Sequence, residues 1–245
     1  MIEENINYNN YINASNNLVY QDIFDEKRFI KDSFEGYAYY FYASFLINMD
    51  YSLRKDFIRE IKGTSIEDLL DSDKCLFIHN AINEFQKQIG FDNYDMILYP
   101  DIKQNYLVTY CISLIKKWLD AKKSNTKLYQ IDKTDSSTIY IEKEAYNKNI
   151  EKAEEYLNEI HKLEYFSIAN NGHSYRRYVR NFLEIRNLDL VIKLKGANEN
   201  TKILIFDDIN STGSTLKEIF RVLNPINDIL KYDIYTIIGN KMGQK

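Results

Sequence analysis

The sequence predicts an α/β fold: a mainly parallel sheet flanked by helices, preceded by a mostly helical N-terminal region. Three observations predict it. Ile203-Leu204-Ile205-Phe206 is a short apolar run, followed by a polar turn and then by Leu216, Ile219, Phe220 and Leu223 at helical spacing, so this stretch reads strand, turn, helix. From Tyr94 onward, strand-like and helix-like stretches follow one another, the pattern of parallel strands joined by crossover helices. Before that point the longer patterns read as helical. The expected division is residues 1–92 as a helical region for packing, a hood or dimerisation, and residues 93–245 as the α/β core. A chain of 245 residues is long enough for a sizeable core with an appendage.

Taken in order, Leu18-Val19-Tyr20 and Ile23-Phe24 read as short strands. Ser33 to Asn48 reads as an aromatic-rich helix, and Ser52 to Lys62 as another that Gly63 stops. Ser65, with Asp68 three residues on, resembles a capping box. Cys75 to Ile89 reads as a helix with Gly90 as its C-terminal stop. Asp95 to Pro100 is strand-like, Asp101 to Asn105 is a short polar loop, and Tyr106 to Leu119 is a nearly all-apolar helix that contains Trp118 and should be well buried. Leu128 to Ile131 suggests the second core strand and Thr134 to Ser137 a turn. Lys143 to Leu163 reads as one long helix with Tyr146, Ile150, Ala153, Leu157 and Ile160 along a face. Asn170-Asn171-Gly172 marks a turn. Leu188 to Leu194 reads as a strand, Lys195 to Thr201 as a loop, and Asp233 to Ile238 as the last strand.

Composition narrows the function. The net charge of −4, with both signs interspersed, argues against a dedicated nucleic-acid or anionic-membrane binder. The two cysteines, Cys75 and Cys111, lie far apart among apolar residues, and the three histidines are scattered, so no zinc pattern arises. Met1 to Asn10 is acidic and Asn-rich, unlike a secretory signal, and the apolar run Tyr37 to Met49 is short for a bilayer span. A cytoplasmic protein is the expectation.

The chemistry gathers at Lys202 to Leu216. Asp207 and Asp208 stand at the carboxyl end of the apolar strand, where two adjacent carboxylates are costly unless they bind something. Vicinal sugar hydroxyls or a hydrated Mg²⁺ would suit them. Asn210, Ser211, Thr212, Gly213, Ser214 and Thr215 then bring hydroxyls and backbone N–H groups to a helix N-terminus, where phosphate is favoured. Gly213 allows close backbone approach or a positive φ. Phosphate on the turn and a polyol on the acids describe a ribose 5-phosphate site. A plain capped strand-to-helix connection is the alternative, and it leaves the acid pair without a purpose.

This stretch resembles the phosphoribosyl-pyrophosphate (PRPP) motif of type I phosphoribosyltransferases. The likeness covers about a dozen residues, and the common Thr-Thr-Gly of that family is Ser211-Thr212-Gly213 here. The order of elements is similar to the competence-protein (ComF-like) arrangement, although the cysteine-rich zinc module that often opens such chains is missing. The resemblance implies a PRPP-dependent transferase with a nitrogenous acceptor, released pyrophosphate and Mg²⁺ held mostly by substrate. Asp207 and Asp208 would hold the ribose hydroxyls, directly or through Mg²⁺-bound water, and Ser211 to Thr215 the 5′-phosphate. Asp101 to Asn105 lies where the family grips pyrophosphate, with Asp101 in the loop and Lys103 as a cation; an ordinary turn remains the other reading. His173 to Phe182 is the most basic short stretch, and Arg176, Arg177 and Arg180 read either as a lid meeting pyrophosphate or as a solvated helical face. A non-catalytic PRPP or nucleotide sensor, and a homodimer, are both compatible with the resemblance.

Overall fold

The computed structural model describes residues 18–20, 30–34, 37–47, 58, 60–70, 72–101, 103, 105–164, 166, 175, 178–210, 213–230 and 232–239. The strands are β1 (Leu18–Tyr20), β2 (Ile30–Phe34), β3 (Tyr37–Ile47), β4 (Met96–Pro100), β5 (Lys127–Lys133), β6 (Tyr140–Ile141), β7 (Val179–Arg180), β8 (Leu183–Glu184), β9 (Ile203–Asn210) and β10 (Tyr232–Gly239). The helices are α1 (Ile66–Leu69), α2 (Ser72–Gln88), α3 (Tyr106–Ala121), α4 (Lys143–Tyr146), α5 (Ile150–His161), α6 (Leu188–Gly196) and α7 (Ser214–Leu223).

The chain is α/β, as the sequence predicts. Its main sheet runs in the order β1-β3-β10-β9-β4-β5-β8, with β2 also on β3. The centre, β3-β10-β9-β4-β5, is parallel throughout, and β1, β2 and β8 join antiparallel. The apolar side chains of β9 alternate. Leu204 and Phe206 join Phe85 of α2 and Ile115 of α3 in one core, while Ile203 and Ile205 join Leu194 of α6 and Phe220 of α7 in the other. Helices therefore cover both faces, which is why the central strands are near-continuous apolar runs.

Two connections position the site. β4 leads through α3 to β5 on one side; β9 leads through α7 to β10 on the other. The crossover helices pack in opposite cores, α3 with the first and α7 with the second. Between β4 and β9 the winding reverses, and in open α/β sheets the crevice beyond the carboxyl ends at such a point is where ligands bind. The pairing also stops there. β4 meets β9 from Met96↔Ile203 to Leu98↔Ile205, after which β9 continues beside β10 as far as Asn210↔Gly239.

Local signals explain most helix ends. Ser65 caps α1 by accepting the Asp68 N–H, and Gly90 after α2 adopts φ 85°. Asn105 caps α3 by accepting the Val108 N–H.

Three expectations are corrected. Residues 33–34 and 37–47 are strand rather than helix: they belong to β2 and β3, and β3 adds a parallel strand beside β10. Tyr and Phe suit a pleated surface, and an available strand edge decides the matter. Leu188 to Leu194 is helical rather than a strand. Asn187 caps α6 by accepting the Leu190 N–H; Leu190 and Leu194, four apart, are buried, while Leu188 and Ile192 face out. The long helix over 143–163 is two. α4 ends at Tyr146, and Asn149 restarts the chain as the cap of α5, its side chain accepting the Lys152 N–H. Helix α3 is well buried, as expected, through Leu107, Val108, Cys111, Ile112, Ile115 and Leu119, with Trp118 partly buried against the same core. Ile23-Phe24 and the turn at 170–172 lie outside the described residues.

Candidate active site

β9 carries Asp207 and Asp208 inside the strand, not beyond its end. Successive strand residues point to opposite faces. Asp208 therefore continues the face of Leu204 and Phe206, and Asp207 that of Ile203 and Ile205. Both are buried, at 4% and 2% exposure. The Asp208 N–H donates to Asp207 Oδ1 at 2.9 Å, and the Ile209 N–H to Asp208 Oδ1 at 2.7 Å.

The two carboxyls differ in surroundings. Lys62 Nζ stands 3.0 Å from Asp208 Oδ2. The approach is an ion pair without hydrogen-bond alignment, and Oδ2 makes no hydrogen bond. Asp207 has no ion pair among the described residues. Burial, and then the adjacent Asp208 carboxylate, push the Asp207 carboxyl well above the usual carboxylate range, against a weaker pull from Lys62. Two buried carboxyls this close disfavour a second charge, and the cost falls on Asp207. Thr236, in register beside Asp207 on β10, is fully buried and leaves Oγ1 without a hydrogen bond.

Beyond Asp208 the chain turns into α7. Gly213 takes φ 71°, a left-handed conformation that side chains disfavour, and its carbonyl accepts the Lys217 N–H. Ser214 is buried and Thr215 half-buried. Asn210 ends β9 beside Gly239. Ser211 and Thr212 lie outside the described residues, as do Arg176 and Arg177.

Across the crevice, Asp101 follows Pro100 and is buried, its Oδ1 accepting the Lys103 N–H at 2.9 Å. The turn leads to Asn105 and α3, so both α3 and α7 begin at this rim, and their N-termini carry partial positive charge. Lys103 is exposed. Lys133, the last residue of β5, donates to the Lys103 carbonyl at 3.2 Å. Burial lowers the Lys133 ammonium pKa; Asp101 opposes this, while Lys62 and Lys103 add to it. Lys62, Lys103, Lys133 and Asp101 thus share one electrostatic neighbourhood. Sequence reasoning missed Lys62, Lys133 and Thr236. Lys133 was accessible once its strand was placed, since it stands at a carboxyl end; Lys62 and Thr236 carry no sequence signal.

Arg180 sits in the small β6-β7 sheet and forks onto Glu142, at 2.8 and 3.0 Å. The cavities bounded by described residues lie elsewhere. One of about 680 Å³ is lined by Thr134, Asn181, Arg186, Lys195 and Arg221, and one of about 410 Å³ lies at the amino ends of β4 and β5. Neither includes the acids or Gly213.

The donor set does not build a metal centre. No three His, Cys, Asp or Glu side chains gather among the described residues. Asp207 and Asp208 lie on opposite faces, and the free Asp208 oxygen meets an ammonium. What the crevice offers instead is positive charge for an anion: three lysines and two helix N-termini.

No family model and no curated protein matches the sequence. Among solved structures, a hypoxanthine phosphoribosyltransferase from Staphylococcus aureus is similar, with 17% identity, a TM-score of 0.36, and coverage of 78% of this chain and 72% of that one. No helix among the described residues is long and apolar enough to cross a membrane.

Proposed function

We propose that the chain is a phosphoribosyltransferase, moving 5-phosphoribosyl from PRPP to a nitrogenous acceptor with release of pyrophosphate. The observation that carries this reading is the convergence, at the β4/β9 switch crevice, of an acid pair, a left-handed glycine opening a helix, and a lysine cluster on the opposite wall. A phosphate is favoured at the α7 N-terminus, where Gly213, Ser214 and Thr215 lie, with Asn210, Ser211 and Thr212 just ahead of them. Asp207 and Asp208 hold the ribose hydroxyls by hydrogen bonds. Lys103 and Lys133 take the charge that grows on pyrophosphate as the anomeric C–O bond breaks and the C–N bond to the acceptor forms. Mg²⁺, which the sequence resemblance implies, would arrive on the diphosphate oxygens of the substrate, since the protein supplies too few ligands to hold it alone.

A second reading is a non-catalytic sensor of PRPP or a nucleotide. It is favoured by Arg180, whose fork is engaged by Glu142.

The test is a calorimetric titration of PRPP with Mg²⁺ into the native chain and into Asp207→Asn/Asp208→Asn. Saturable binding that the double variant loses is expected. A pyrophosphate-release screen with nitrogenous acceptors then separates enzyme from sensor. A folded native protein that binds no PRPP would defeat both readings.

A further inference from the structure

Residues 58 and 60–62 stand just before Gly63 and outside the sheet, yet among the described residues they deliver the one side chain that forms an ion pair with Asp208. Its backbone is pinned. Residues 58 and 60–62 are helical, and Ile61 is fully buried in the first core. One residue before Ile61, Glu60 is bound by Lys74 at 2.8 Å, and the same ammonium reaches Asp68 at 2.6 Å. Lys74 is itself buried. On the other side, Gly63 turns the chain at φ 67°, where a Cβ would meet Leu69 Cδ2 at 2.8 Å. Lys62 is therefore presented from a fixed point, and its flexible side chain is the part that can move.

Its partner cannot move. Asp208 lies inside β9, past the end of the β4 pairing, and its neighbours Asp207 and Ile209 are held in register by Thr236 and Ile238 of β10. The pair is also incomplete: Lys62 is 26% exposed and unaligned, and a buried Asp208 oxygen is left without a hydrogen bond. An ammonium in such a place neutralises charge without satisfying geometry. Lys62 also stands within electrostatic reach of Lys133, on the side where the lysines gather.

We propose that Lys62 is the ligand-responsive cation of the crevice: it neutralises Asp208 while no anion is bound, and moves to the diphosphate end of the ligand when one enters, freeing Asp208 for hydroxyl groups. The ligand's identity rests on the phosphoribosyl reading above; the partner exchange itself requires only a diphosphate. Glu60, Lys74 and Asp68 act as positioning residues for this exchange. The region before the core thereby supplies a binding residue to the site.

The exchange predicts a coupling that a fixed ion pair does not. Inorganic pyrophosphate is titrated by calorimetry, at constant ionic strength, into the full chain and into Lys62→Met, Asp208→Asn and the double variant, each first shown folded by a thermal melt. Lys62→Met should weaken binding by about tenfold, the loss of one charged hydrogen bond. Asp208→Asn should tighten binding several-fold by releasing Lys62, and most of that gain should vanish in the Lys62→Met background. Lys62→Arg, which keeps the charge, should retain binding and serves if the Met variant does not fold. An Asp208→Asn effect of equal size in both backgrounds would reduce it to simple removal of negative charge and overturn the exchange. So would native binding that Lys62→Met leaves untouched, or no pyrophosphate binding at all. A native chain that binds pyrophosphate through Lys62 but not PRPP would keep the exchange and remove the transferase reading. PRPP binding indifferent to Lys62→Met would do the reverse.

Discussion

Asp207→Asn measures what the fold gives up to bury the first acid. Asp207 is 4% exposed and accepts the Asp208 N–H at 2.9 Å, with no cation paired to it among the described residues. Burial, reinforced by the Asp208 carboxylate, raises its folded pKa well above its unfolded one. For a raised pKa, the stabilising contribution is fully present below the unfolded value, near pH 4, and is lost as pH climbs toward the folded value. Within that window the native state holds a proton that the unfolded state has released, so stability falls by about 1.4 kcal/mol per pH unit. Asparagine has nearly the same shape, accepts the same N–H and never ionises.

The difference in unfolding free energy between variant and wild type should therefore move in favour of the variant by about 1.4 kcal/mol for each pH unit above 4, and level off at the folded pKa. Urea unfolding of both proteins, from about pH 4.5 to pH 8, reads this directly, and contributions from titrating groups that do not interact with Asp207 cancel in the difference. In thermal melts each kcal/mol corresponds to about 2–4 °C for a chain of this size. A difference that stays constant across the pH range would refute the reasoning, as would a variant that loses ground as pH rises.

Two further substitutions probe the scaffold and the turn. Phe85 is fully buried on α2 and stacked on Tyr235 with ring centroids 4.1 Å apart, so Phe85→Ala should cost about 3–5 kcal/mol in urea unfolding. A loss under about 1 kcal/mol would mean that the α2 layer contributes little to the sheet. Gly213→Ala should cost about 1–2 kcal/mol from its left-handed φ and weaken ribose 5-phosphate binding by calorimetry; unchanged affinity would place the phosphate elsewhere.

The acid pair, the glycine turn and the helix after it were legible because they are contiguous: strand, carboxylates and phosphate turn fall within Lys202 to Leu216. The loop at Asp101 was legible from order alone. What escaped the sequence was whatever depends on partners far along the chain. Tyr37 to Ile47 is aromatic enough for either element, and only the edge of β10, nearly two hundred residues later, makes it a strand. Leu188, Leu190, Ile192 and Leu194 alternate like a strand, and the Asn187 cap that favours a helix is a weak local signal beside that alternation. Lys62 is one lysine among many at the end of a helical stretch, and nothing in its neighbours announces Asp208.

The two acids also show why adjacency in sequence is not adjacency in role. On a strand, neighbours leave the backbone toward opposite faces, so the two carboxyls meet different surroundings. Asp208 faces the layer of α3 and pairs with Lys62. Asp207 faces the α7 layer, with a buried, unsatisfied Thr236 hydroxyl beside it, and burial raises its pKa. The same split fixes the expected outcomes: an amide at Asp207 removes a carboxyl that burial opposes, while an amide at Asp208 releases a lysine.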